Sequence, residues 1–268
     1  MQPTSDLEVP QLKAKTFPCM GTVISLTVPV APGEGSSAGE EALTAAAAAV
    51  ERLFRELDAR FSLYRPESEA SRLARGELQL RTASQDFRDR YAEAADWRLL
   101  TEGAFTPERP DGVVDLSGLV KGVAIKEAGA ALQSLGHGDW CLNAGGDVLV
   151  AGSPIVAGRA SWQAGIVDPQ DRRILIAAFP LGGSTAFRAL ATSGSAERGD
   201  HIWTSGAAVS TFRQVSVAAA DIVTADVLAT AIVAGGIPML NRATSGWDVE
   251  VLAIRNDGGI LATPGFRA

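Results

Sequence analysis

Trp140-Cys-Leu-Asn-Ala-Gly-Gly-Asp-Val-Leu-Val150 sets two short apolar runs on either side of a Gly-Gly pair. Gly-Gly is hairpin chemistry, because a tight two-residue turn needs φ values that other side chains resist. The stretch therefore predicts adjacent antiparallel strands over Trp140–Asn143 and Val148–Val150. Toward the C-terminus the same signal recurs. Trp162–Val167, Arg173–Pro180, Arg188–Thr192, Phe212–Ala219 and Val249–Ile254 are short, apolar and strand-like. Toward the N-terminus, Thr22–Val28 alternates and is rich in β-branched residues, while Pro29–Gly39 is a Pro/Gly/Ser loop.

Helical patterns separate these runs. Glu40–Arg60 is Ala-rich with Leu53, Phe54 and Leu57 on one side, and Gln85–Thr101 is closed by Gly103. Ser68 caps a short turn through Leu73, and Lys121–Leu135 ends at Gly136. Phe61–Arg65 is expected to be extended, ended by Pro66, and Val113–Gly118 to be a strand entering a turn. Strands arriving both as hairpins and between helices predict an α+β fold with a largely antiparallel sheet, rather than a doubly wound one. Residues 1–16 are expected to be a flexible lead and 17–268 a single domain, whole or in two lobes. No internal repeat is evident.

The chain has 268 residues, 46% hydrophobic, with 24 basic and 31 acidic side chains. A charge of −7 without a Lys/Arg run argues against a nucleic-acid or anionic-membrane surface. Cys19 and Cys141 have no zinc spacing, and His137 and His201 are the two histidines, so a metal would have to be held by oxygen. No stretch has the roughly 20 consecutive apolar residues of a spanning helix. Met1–Asp6 lacks the basic and apolar regions of a leader. The chain as given is expected to be soluble and cytoplasmic.

Thr224-Ala-Asp226-Val-Leu-Ala-Thr230 puts a carboxylate and a hydroxyl at i and i+4 in an apolar helix, so both oxygens leave one face. That helix is expected to begin near Thr224 and stop at Gly235-Gly236, with Pro238 beyond. A buried carboxylate needs a partner, and oxygen donors at this spacing suit magnesium. A plainer reading stands beside it: Thr224 as N-cap, Asp226 favouring the helix dipole, Thr230 bonding back to its own helix. Asp115-Leu-Ser117-Gly118-Leu-Val120-Lys121-Gly122 sets glycines and an ammonium at a strand–helix junction, which suits phosphate or is simply a corner. Gly145-Gly146 allows a flat or anionic ligand close to the main chain. Thr192-Ser193-Gly194 supplies hydroxyl donors but no Gly-x-Ser-x-Gly nucleophile motif. His201 is either a structural imidazole or a general base.

The order of these segments carries more than any one of them. Met20-Gly21-Thr22, Phe61-Ser-Leu-Tyr64-Arg-Pro-Glu-Ser68, Gly103-Ala-Phe105, Asp115 to Gly122, Asn143-Ala-Gly-Gly-Asp147, Trp162 to Pro169, Ala191 to Gly194, His201-Ile202 and Ala225 to Thr230 follow one another along the chain. This series resembles the ApbE family, the magnesium-dependent FAD:protein FMN transferases, from about residue 17 to about residue 255. The resemblance implies that FAD is split and its FMN phosphoryl passed to a Thr or Ser hydroxyl of a partner protein, with release of AMP. It implies magnesium held by Asp226, Thr230 and the Val120 carbonyl. It also implies flavin-nucleotide contacts at Met20, Tyr64, Ser117, Gly118, Lys121, Gly122, Gly145, Gly146, Thr192 and Ser193. His201 and Asp226 are the implied catalytic residues, His201 taking the acceptor's proton. Water as acceptor would instead make the chain a FAD pyrophosphatase, and loss of chemistry a flavin-binding protein.

The chain departs from the family pattern in three places. Val123 replaces an aromatic after Lys121-Gly122, and Lys126 stands where the family usually has an acid, with Glu127 one residue later. One residue is about 100° of helix rotation, so Glu127 is not expected to substitute. Trp203-Thr-Ser-Gly206 replaces the family's second His and Asp-Pro after the His-Ile pair. Cys19 follows no apolar leader of the kind that precedes a lipid-attachment cysteine.

Overall fold

The computed structural model describes residues 11–30, 37–155, 160–194 and 211–266. The chain opens with β1 (Gln11–Cys19) and β2 (Thr22–Val30), paired antiparallel from Gln11↔Val30 to Cys19↔Thr22. Their turn, Met20-Gly21, has φ of +49° and +70°. Residues 11–16, expected in a flexible lead, are therefore strand. Lys13, Lys15 and the exposed Leu12 mask the alternation, as befits an edge strand whose backbone would otherwise invite pairing.

Four helices follow: α1 (Ser37–Phe61), α2 (Glu69–Ala74), α3 (Gln85–Leu100) and α4 (Ser117–Ser134). Ser68 and Ser84 cap α2 and α3, accepting from Ser71 N and Phe87 N. Residues 62–67 form turns, not the extended segment expected, because Phe61 completes α1 and stacks on Phe87 of α3 at 5.2 Å. Residues 113–116 form no strand beyond a single bridge between Glu108 and Val114. Asp115 Oδ1 instead accepts from Ser117 N at 2.9 Å, and this begins α4 earlier than the expected Lys121.

Next come β3 (Trp140–Ala144), β4 (Asp147–Ala151), β5 (Trp162–Val167), β6 (Leu175–Leu181), β7 (Ala189–Gly194) and β8 (Phe212–Ala219). The β3–β4 hairpin closes on Gly145 and Gly146, whose φ values are +65° and +99°. The last elements are α5 (Ile222–Gly246), β9 (Glu250–Arg255) and β10 (Ile260–Ala262). Asp221, not Thr224, caps α5, accepting from Val223 N and Thr224 N. A straight helix of that length would extend about 37 Å. Its flanking residues Ala218 and Glu250 are nonetheless register partners, so the helix has to fold back. It breaks at Gly236 (φ 63, ψ −149), where the sequence predicted its end, and continues through Pro238.

Among the described residues eight strands form one sheet in the order β1-β2-β3-β4-β7-β8-β9-β10, every pairing antiparallel, and β5-β6 make a second small sheet. This is the α+β arrangement expected. On one face α1, α4 and α5 bury Phe54, Leu119, Ile125, Trp140, Leu142 and Leu228 with the main core. Each side chain of Leu or Phe size removed from water contributes about 1.5–3 kcal/mol. On the other face β5-β6 cover Val148, Val150, Leu190 and Ile254 with Trp162 and Phe179. By length and composition α5 is apolar enough to cross a membrane, but most of that window is buried in this core.

Candidate functional site

Strand direction gathers the sequence motifs at one end of the sheet. Pairing of Ile24 with Ala144 sets the Met20-Gly21 turn beside the Gly145-Gly146 turn. Gly145 N donates to Val23 O at 3.3 Å, and a Cβ on Gly145 would lie 2.4 Å from Thr22 Oγ1. Pairing of Val148 with Leu190 brings the end of β7 alongside, so Thr192 N donates to Asp147 Oδ1 at 3.0 Å. Asn143 Oδ1 accepts from Gly146 N at 2.9 Å and fixes the hairpin tip.

Two helices close over this edge. On α5, Asp226 is 2% exposed, and Thr230, one turn on, exchanges a hydrogen bond with Ser193 through their hydroxyls at 2.9 Å. On α4, Lys121 is 8% exposed; its Nζ contacts Asp147 Oδ2 and lies 3.6 Å from Asp226 Oδ1. Asp147 is fully buried, so two carboxylates share one ammonium out of water. Breaking such a pair costs several kcal/mol because it strands a charge. Gly122 lets the helices meet, since a Cβ there would be 3.2 Å from Val223 Cα and 3.4 Å from Asp226 Oδ2. Gly118 lies under Phe105, its hypothetical Cβ 3.2 Å from Phe105 Cε2.

Lys121, Gly122, Gly145, Gly146, Thr192, Ser193, Asp226 and Thr230 thus belong to one neighbourhood, and Ser117, Gly118 and Val120 precede Lys121 in the first turn of α4. Met20 joins it through the adjacent turn. Tyr64 is 81% exposed, on the turn after α1. Asp58 and Arg65, an ion pair on that side, both act on the Cys19 thiol next to Met20. His201 lies outside the described residues. The donor set fits a hard divalent cation: a buried carboxylate and a hydroxyl on one face of α5, with the Val120 backbone on the helix facing it.

The geometry also accounts for the Lys126–Glu127 departure. Lys126 Nζ bonds Asp221 Oδ2 at 2.7 Å and ties α4 to the cap of α5. Glu127 faces α3, with Arg90 at 3.9 Å, and burial raises its carboxyl above the ordinary value. The two side chains serve different helices, as a rotation of about 100° demands.

Sequence reasoning gave no role to Asp147 or Ser216. Asp147 follows directly on the Gly-Gly turn and opens an apolar strand, a place where an acid has to find a partner. Ser216 is fully buried and bonds Thr192 Oγ1 at 2.8 Å; its signal was a hydroxyl inside the apolar run Val215–Val217.

The fold of the chain is shared with solved structures. The fold matches a flavin transferase ApbE from Vibrio cholerae at a TM-score of 0.72 and 22% identity, covering 96% of this chain and 99% of that one. An ApbE protein from Thermotoga maritima matches at 0.74 and 20%, covering 96% and 98%. An apo flavinyl transferase ApbE from Pseudomonas stutzeri matches at 0.71 and 16%, covering 98% of each chain. No curated protein sequence matches the chain. The ApbE family model matches residues 20–109 and 106–252, nearly the whole length, and the chain therefore belongs to the ApbE family.

Proposed function

We propose that this protein is a magnesium-dependent FAD:protein FMN transferase, acting on a Thr or Ser hydroxyl of an acceptor protein. The observation that carries the reading is the meeting of Asp226 and Thr230 with Lys121 and the Gly145-Gly146 turn, at one edge of an ApbE-family sheet. The acceptor oxygen attacks the FMN phosphorus, the pyrophosphate bond to the AMP half breaks, and AMP leaves with the electron pair. Such a transfer asks the protein for positioning and charge neutralisation more than covalent chemistry.

Asp226 and Thr230, with the Val120 carbonyl, would hold magnesium. When bound, the ion neutralises pyrophosphate charge and polarises the bond to be cleaved. The glycine turn lets the nucleotide approach the main chain. Ser117 and Gly118 at the start of α4 offer amides to phosphate, and Thr192 and Ser193 offer hydroxyls. Met20 and Tyr64 would provide surface for the flavin or adenine ring. His201 would take the acceptor's proton.

Incubation with FAD, magnesium and a Thr-containing acceptor domain tests the reading. Covalent flavin fluorescence on the acceptor, stoichiometric with AMP, is the expected result. AMP with free FMN would instead make water the acceptor. FAD recovered intact with and without acceptor would overturn both enzymatic readings.

A further inference from the structure

Asp147 is a fully buried carboxylate that the proposed transfer leaves without a task. Both its oxygens are engaged. Oδ1 accepts from Thr192 N at 3.0 Å, and Oδ2 contacts Lys121 Nζ. The same ammonium lies 3.6 Å from Asp226 Oδ1, beyond a direct hydrogen bond. Lys121 therefore stands between two acids and is bound to the one across the site from α5. We infer that Asp147 is a positioning residue that holds the Lys121 ammonium off Asp226 and so keeps Asp226 available to a divalent cation. The inference rests on the metal site proposed above.

A lysine ammonium and a divalent cation compete for the same carboxylate oxygens. The lysine is tethered on a flexible stem within reach, so nothing but a stronger partner keeps it away. Asp147 is that partner, a full negative charge buried beside the ammonium. Its other oxygen pins β7 at Thr192, and the next residue, Ser193, meets the second proposed ligand, Thr230, at 2.9 Å. One side chain thus serves both ligands: it draws the competing cation from Asp226 and fixes the strand against Thr230.

Binding of Mn2+ as the probe, followed by the electron paramagnetic resonance of the free ion, tests this without turnover. Asp147→Asn keeps the shape and an oxygen for Thr192 N but removes the charge that holds Lys121. It is expected to weaken Mn2+ binding about tenfold or more, the scale of losing a residue that supports a metal ligand. The double variant Asp147→Asn with Lys121→Met removes the competing ammonium together with the carboxylate that holds it, so no ammonium is left to move onto Asp226. Its affinity should return to within about threefold of the parent, where a merely structural Asp147 would leave it as weak as the single variant.

Asp147→Asn binding Mn2+ as tightly as a parent that binds it would overturn the inference and leave the proposed function standing. A double variant as weak as the single one would do the same. Should Asp147→Asn alone fail to fold, the double variant decides by the same threefold criterion. A parent that binds no Mn2+, with or without FAD, would overturn both the inference and the metal site on which it rests.

Discussion

Asp226 and Cys141 sit in different surroundings. Asp226 is buried beside Lys121, on the helix face that carries Thr230. Asp226→Ala is expected to lower magnesium-dependent AMP release by more than about a hundredfold, since even residues that only support metal ligands are worth 10–100-fold. Full activity in that variant would remove Asp226 from the proposed metal site. His201→Ala should slow transfer by roughly 10²–10⁴-fold if the imidazole is the base, and an unchanged rate would exclude it. Cys141 has no charged partner among the described residues, and burial pushes its thiol up to about 12. The thiol should thus resist iodoacetamide at pH 8 in the native protein and react once denaturant exposes it. Between the ordinary thiol value of 9.0 and about 12, the unfolded chain loses this proton and the native one keeps it. This contribution to stability is complete below pH 9 and declines above it by up to about 1.4 kcal/mol per pH unit. Urea melts at pH 8 and 10 should show the decline, and Cys141→Ala should reduce it.

At the scale of single elements, the two glycines of the β3–β4 turn separate backbone conformation from packing. Both have positive φ, but a Cβ on Gly146 meets nothing within 4 Å, while one on Gly145 would strike Thr22 Oγ1. Gly146→Ala should cost about 1 kcal/mol in chemical denaturation and Gly145→Ala roughly 2–4 kcal/mol. Equal costs would mean that the neighbouring hairpin yields freely. The hairpin and its glycines were legible in the sequence because a turn is a local property, set by residues adjacent in the chain. The start of α5 was not. Asp221 and Thr224 are both good N-cap residues, and the choice fell to the one that Lys126 of α4 also reaches. Asp221→Ala should cost about 1–2 kcal/mol.

At the scale of the molecule, the candidate site is the seam where α4, α5, the Met20-Gly21 and Gly145-Gly146 turns and the end of β7 converge, so ligands that fill it should stabilise the whole fold. FAD together with magnesium, at about a hundredfold excess over Kd, should add about 2.7 kcal/mol. That is a rise in Tm of roughly 5–10 °C. FAD alone should give less, and an equal shift without magnesium would argue against metal-assisted binding. Asp226→Ala should abolish the extra shift due to magnesium.

The sequence by itself determined the α+β class, the β3–β4 hairpin, the strands from β5 to β9 and the Asp226/Thr230 pair. Alternation, turn glycines and helical spacing are written over a few consecutive residues, and the order of motifs along the chain carried the family. Residues 11–16 escaped because an edge strand bearing lysines lacks the apolar alternation of a buried one. The bond from Asp147 to Lys121, the seat of Ser193 on Thr230 and the split of Lys126 from Glu127 were decided by tertiary structure alone. Each joins side chains of separate elements, and their meeting depends on strand register and on how closely glycines let α4 approach its neighbours. No local pattern encodes those distances. They follow from packing the whole sheet against its helices.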